Sequence, residues 1–254
     1  MILSYKHRYI FMHCRKTAGS SIAVSLARDL GQKDIFLGGI EEAMNLGISP
    51  PQRIVYAAFR QNPIDLLMNR AKGKGQYAAS VSKQAKRHFS RTIGSKPQHV
   101  NARAMRAAFP AEWSTFFKFC VVRNPYDLVV SDYYWRTSNV SNPPSFESYM
   151  QALERGDSLG GIVPVGIHSN WEIYTIDDEV AVDAVYRYEQ LPHALQRGLE
   201  GAKIPFEGII TRAKSSQRLA RSKNYTEFHT PLTRETVESL YEKEIVAFGY
   251  RFGD

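Results

Sequence analysis

Tyr9-Ile10-Phe11-Met12-His13-Cys14-Arg15-Lys16-Thr17-Ala18-Gly19-Ser20-Ser21-Ile22 is the stretch from which the rest of this 254-residue chain is read. Tyr9 to His13 is a short apolar run, and polar, Gly-containing residues follow it at once. From Ser20 onward Ile22, Val24, Leu26 and Leu30 recur among small residues, as in a helix, and Gly31 is a natural stop. The opening unit is therefore strand, turn, helix. Such a turn suits an anion: helix N-terminal amides point at it, and the hydroxyls of Thr17, Ser20 and Ser21 can donate to phosphate oxygens. Gly19 lets the backbone turn tightly, and Lys16 supplies a mobile positive charge. The pattern is not a Walker A loop, which needs Gly, four residues, then Gly-Lys-Ser/Thr; here the Lys precedes the Gly.

Working outward, Ile54 to Phe59 reads as a second strand and Phe116 to Val122 as the clearest one, apolar almost throughout. Asn124-Pro125 ends that strand, and Tyr126 to Trp135 reads as a helix with Pro near its first turn. Val182 to Tyr188 alternates like a fourth strand. Thr233 to Phe248 is helical, with Thr233 as a possible cap, one apolar face and Gly249 closing it. Strands alternating with helices predict an α/β protein with a central, mostly parallel sheet flanked by helices. The length fits a single domain, residues 1–254.

The formal charge of +8 favours anionic partners without choosing among them. Residues 66–111 concentrate that charge: Arg70, Lys72, Lys74, Lys83, Lys86, Arg87, Arg91, Lys96, Arg103 and Arg106 occur there with no Asp or Glu. Gly, Ala and Ser around Lys72 to Ser82 predict a mobile insertion within a basic stretch of about 66–98. That stretch is either a solvated surface or a landing strip for a polyanion. Aromatic residues are too sparse among these cations for a nucleic-acid stacking platform. Cys14 and Cys120 are too few for a disulfide framework, and free thiols are expected. No signal-peptide pattern and no apolar run long enough to span a bilayer are present, so a cytoplasmic protein is expected. There is no zinc-type Cys/His spacing.

A second chemistry-bearing motif is Phe119-Cys120-Val121-Val122-Arg123-Asn124-Pro125-Tyr126-Asp127, with Ser131 following. An Arg at the carboxyl end of a central parallel strand stands where such sheets bind ligands. Ser131 lies eight positions on, about two helical turns, so both residues could reach one phosphate. The competing reading is a structural ion pair of Arg123 with Asp127 or Asp132.

Taken together, the two motifs resemble those of 3′-phosphoadenosine-5′-phosphosulfate (PAPS)-dependent sulfotransferases, carbohydrate sulfotransferases in particular. Ile10 to Ile22 resembles the family's 5′-phosphosulfate-binding loop, with Arg15, Lys16, Thr17, Ala18, Gly19, Ser20 and Ser21 as the binding residues. Phe117 to Tyr133 resembles its 3′-phosphate-binding strand and helix, with Arg123 and Ser131 at the matching positions. Val185 to Leu191 and Leu240 to Tyr250 look like further family blocks. The likeness runs from about Tyr9 to Phe252 but covers the basic stretch and residues 141–162 poorly.

The resemblance implies a P-loop-like three-layer sandwich and sulfuryl transfer from PAPS to a hydroxyl of a carbohydrate or similar acceptor. Lys16 would stabilise the leaving group. His99, in a block before the Arg123 strand, would be the base, with His168 in reserve. His13 aligns with a structural His, and His7, His88, His193 and His229 have no motif around them. The basic cluster Arg212, Lys214, Arg218, Arg221 and Lys223 would close over the nucleotide, with Arg221 as its contact. Arg15 stands where relatives carry Pro, and Leu128 where they carry Arg. No metal is expected, because there is no triphosphate to neutralise and no Walker B strand ending in Asp. A P-loop-type kinase and a non-catalytic basic glycan- or nucleic-acid-binding module are the alternatives.

Overall fold

The computed structural model describes residues 1–164, 169–209 and 224–254. Along the chain come β1 (Ile2–Ser4), β2 (Tyr9–Met12), α1 (Gly19–Ala27), β3 (Ile35–Phe36), α2 (Ile40–Asn45), α3 (Gln52–Gln61), α4 (Pro63–Lys72) and α5 (Lys74–Ile93). There follow α6 (Ala102–Ala108), α7 (Pro110–Thr115), β4 (Phe117–Val122), α8 (Pro125–Thr137), α9 (Phe146–Arg155) and α10 (Trp171–Tyr174). The chain then forms β5 (Thr175–Ile176), β6 (Glu179–Val180), β7 (Ala184–Arg187), α11 (His193–Gly201), α12 (Pro231–Leu240) and α13 (Glu242–Phe248). This is an α/β protein.

Five strands form one sheet in the order β3-β1-β2-β4-β7. It is mixed: β2 and β4 run parallel at its centre, with Met12 opposite Cys120, whereas β1 is antiparallel to both β2 and β3. β2 reads as four consecutive apolar residues because it is covered on both faces, and all four are buried. Lys118 is the polar exception in β4. Its Nζ donates to the Phe116 carbonyl (3.0 Å) and pairs with Asp183 (2.8 Å), so the buried ammonium is compensated. β5 and β6 are a separate hairpin whose two central residues, Asp177 and Asp178, have φ of 54° and 64°, the left-handed pair of a type I′ turn.

The chain divides into two compact units, Met1–Val121 with Glu172–Ala213, and Val122–Trp171 with Lys214–Asp254. In the first, Phe11 stacks on Phe119 at 5.1 Å, and Tyr186 of β7 meets Phe119 edge-on at 6.1 Å. In the second, Tyr126, Leu128, Val129 and Val130 of α8 pack with Tyr149, Met150 and Leu153 of α9 and with Val237 of α12. Leu128 is buried in this cluster, which accounts for an apolar residue at that position.

Two expectations are corrected. Ile54 to Phe59 lies in helix α3, not in a strand; Ile54, Ala57 and Ala58 are its buried residues, one helical face at i, i+3, i+4. The C-terminal helix is two helices broken at Tyr241, and its N-cap is Thr230, whose hydroxyl accepts from Thr233 N while the Thr233 hydroxyl accepts from Thr230 N. The basic stretch is helical: α5 runs without interruption from Lys74 to Ile93 and buries Ala78, Val81, Ala85 and Phe89. Among the described residues, no helix is long and apolar enough to cross a membrane.

Candidate functional site

The turn between β2 and α1 gets its shape from residues other than the expected one. Lys16 and Ala18 have φ of 63° and 59°, left-handed values for two residues that carry a Cβ, whereas Gly19 has no positive φ and opens the helix. A left-handed non-glycine residue costs about 1 kcal/mol, and such conformations gather at ligand-binding turns. Thr17 between them is fully buried, and its hydroxyl donates to the Cys14 carbonyl at 3.1 Å, bracing the turn from inside. Arg15, Lys16, Ala18, Ser20 and Ser21 are half-buried around it. The N-cap of α1 is Ala18, which has no side-chain acceptor, and the first turn contains no acid. The positive end of this helix therefore carries no anionic cap of its own.

Gly19 is required by His13. A Cβ at residue 19 would lie 2.1 Å from His13 Cδ2 and 2.3 Å from Nε2. A Cβ at Gly38 would lie 2.3 Å from His13 Nδ1. The imidazole is thus enclosed by two glycines, stacked on Phe11 (5.8 Å) and met edge-on by His99 (4.8 Å). Gly38 had no signal of its own in the sequence, because a glycine that makes room for a ring looks like any loop glycine.

His99 sits at the end of a short 3-10 helix, Pro97–His99, with its Nδ1 2.8 Å from the His13 carbonyl. A carbonyl only accepts, so Nδ1 carries the proton and Nε2 the lone pair. Burial pushes the His99 pKa down to about 3; the Arg15 and Lys86 cations act in the same sense, and the His13 carbonyl opposes them. His99 is therefore neutral at physiological pH. Below the unfolded-state pKa near 6.5 the unfolded chain takes up a proton that folded His99 refuses, so stability falls as the pH drops from about 6.5 towards 3. Between pH 7 and 5 this group alone should remove about 2 kcal/mol. Urea unfolding at the two pH values checks this, and His99→Asn should flatten the difference. A His99 ring resonance that titrates near pH 6.5 in the folded protein would contradict it.

In the second unit Arg123 follows β4 and is buried, its Nε and Nη2 held by Asp127 Oδ2 at 2.8 and 2.5 Å. Asn124 caps α8: its Oδ1 accepts from Tyr126 N (3.1 Å) and its Nδ2 donates to the Arg251 carbonyl (2.9 Å). Asp132 is engaged elsewhere, with Arg136 (2.7 Å) and the Tyr149 hydroxyl (3.0 Å). Of the two ion pairs weighed from sequence, the structure contains Arg123 with Asp127. Ser131, half-buried, lies one turn beyond Asp127 on α8.

No family model, curated protein or solved structure matches the chain.

The turn with Lys16 and the root of His99 lie in the first unit, and Arg123 with Ser131 in the second. His168 and the cluster Arg212, Lys214, Arg218, Arg221 and Lys223 lie outside the described residues. Among the described residues no group of three or more His, Cys, Asp or Glu side chains could hold a metal ion. Cys14 and Cys120 are free, buried thiols, and burial beside Cys14 raises the Cys120 pKa well above its ordinary value, so that thiol stays protonated and unreactive. His229, without a motif in the sequence, is a structural residue: its Nε2 donates to the Tyr126 carbonyl at 2.9 Å.

Proposed function

We propose that this chain is a PAPS-dependent sulfotransferase that transfers a sulfuryl group to a hydroxyl of a carbohydrate-like acceptor in the cytoplasm. The observation that carries the reading is the β2–α1 turn: Lys16 and Ala18 in left-handed conformations, directly before a helix whose own N-cap and first turn supply no acidic side chain. Those features suit the 5′-phosphosulfate end of the nucleotide. The resemblance of the Arg123 and Ser131 motif assigns the 3′-phosphate to that pair, and Asp127 would hold the guanidinium in position. The parallel pairing of β2 with β4 supports a P-loop-like three-layer arrangement.

In this reading the acceptor oxygen attacks sulfur, and the bond from sulfur to the 5′-phosphate oxygen breaks. The electron pair leaves on that phosphate, where the Lys16 ammonium balances it. The acceptor's proton goes to a base, and His99 presents the Nε2 lone pair that role requires. Its depressed pKa makes it a weak base by itself; an anionic nucleotide close to Arg15 would offset the cations and raise it.

Calorimetric titration with 3′-phosphoadenosine 5′-phosphate (PAP), Mg·ATP and adenosine 5′-monophosphate tests the proposal. The expected result is tight PAP binding, at least tenfold weaker binding of the monophosphate, and loss of PAP affinity in Arg123→Ala. Binding of Mg·ATP without PAP would replace the reading by a kinase-type one, and binding of neither would favour a non-catalytic basic module.

A further inference from the structure

The first helix of the basic stretch, α4, turns an apolar stripe to the outside. On α4, Leu66 is buried and Asp65 is tied to α5 by the Ser80 hydroxyl (2.5 Å) and the Gln84 amide (2.8 Å). The opposite face, Ile64, Leu67 and Met68 at i, i+3, i+4, is 57 to 68% exposed. A helical projection puts Arg70 on one side of this stripe and Lys72 on the other, both exposed. The preceding helix α3 adds exposed Tyr56 and Phe59, with the Arg60 guanidinium 5.9 Å from the Tyr56 ring. Single exposed apolar residues are ordinary, but a continuous stripe along one helix marks an interaction surface.

We infer that α4 is a docking surface for an anionic lipid bilayer, its apolar stripe entering the acyl boundary while the flanking cations meet lipid phosphates. Charge decides the occupant. Asp65 is the sole acid between residues 52 and 111, and it faces α5 rather than the stripe, so α3, α4 and α5 themselves present cations and no other acid. A second copy of the chain would bring two cationic faces together, which like-charge repulsion opposes. A polyanion such as nucleic acid would satisfy the charges but leave the central aliphatic residues in water. An anionic bilayer supplies both partners in the required order, apolar interior beneath charged surface.

Sedimentation with sucrose-loaded vesicles, phosphatidylglycerol mixed with phosphatidylcholine against phosphatidylcholine alone, tests this, using the full chain without nucleotide. The protein should partition onto the anionic vesicles about tenfold or more better than onto the neutral ones. The variant carrying both Leu67→Gln and Met68→Gln, which leaves the charge unchanged, should lose about tenfold of that partitioning with an unaltered melting temperature. Absence of wild-type binding to anionic vesicles would overturn the inference. Equal binding of the variant would also overturn it, by reducing the effect to charge alone. Sedimentation velocity supplies the third decisive result: a dimer that the double variant abolishes, without vesicle binding, would assign the stripe to a second copy.

Discussion

Gly19→Ala is expected to lower the melting temperature by roughly 6 to 12 °C, corresponding to about 3 kcal/mol for a chain of this size. Helix propensity alone predicts the opposite sign, because alanine in a helix is favoured over glycine by about 1 kcal/mol. Packing reverses it. The added methyl would sit 2.1 Å from the His13 ring, and the ring has little room to retreat, because its Nδ1 edge lies so close to the Gly38 backbone that even a Cβ there would not fit. Phe11 and His99 close the remaining directions. Thermal unfolding measures the loss, and the double variant with His13→Ala should recover part of it, a coupling that distinguishes this clash from a general helix effect. A Gly19→Ala protein as stable as the wild type would show that His13 is not packed as described.

The second large effect belongs to Lys16. If the chain transfers a sulfuryl group, Lys16→Ala should reduce kcat by about 100- to 1000-fold, the usual consequence of removing one group that balances charge developing in the transition state. The left-handed backbone at Lys16 makes a sharper comparison possible. Lys16→Gly relieves the strain and should stabilise the fold by about 1 kcal/mol, yet it should be as inactive as Lys16→Ala, because the charge is missing in both. Unfolding midpoints and kcat would therefore move in opposite directions for one substitution. Retained turnover in Lys16→Gly would separate the turn's shape from any role of the ammonium.

The parts of the molecule legible in the sequence were those carried by strong local pattern. Tyr9 to Ile22 announced strand, turn and helix, and Phe116 to Trp135 did the same, because uninterrupted apolar strands next to Gly, Asn-Pro and hydroxyl residues leave few local alternatives. β1 and β3, three and two residues long, are too short to show a period. Ile54 to Phe59 misled because a six-residue apolar run is compatible with a strand or a helix; the Pro51 boundary and the exposure of Tyr56 and Phe59 resolve it as a helix. At the β2–α1 turn the sequence did not reveal which residues carry the strain and which the packing. The expected turn glycine proves to be a packing glycine, and the strain resides in Lys16 and Ala18. Thr17, expected to face a phosphate, turns its hydroxyl to the Cys14 carbonyl. Side-chain approach and backbone handedness are three-dimensional facts that composition does not carry.

The strand order also fixes a timetable for the nascent chain. β1, β2 and β3 all lie within the first 36 residues, and β4 can join β2 as soon as Val122 has left the ribosome. β7, the strand on the far side of β4, is made about 60 residues later, a delay of roughly 3 to 12 seconds at ordinary rates of synthesis. Throughout that interval one of the most apolar strands in the protein offers an open hydrogen-bonding edge. Newly made chains are therefore most vulnerable to clumping on polysomes before Arg187 emerges.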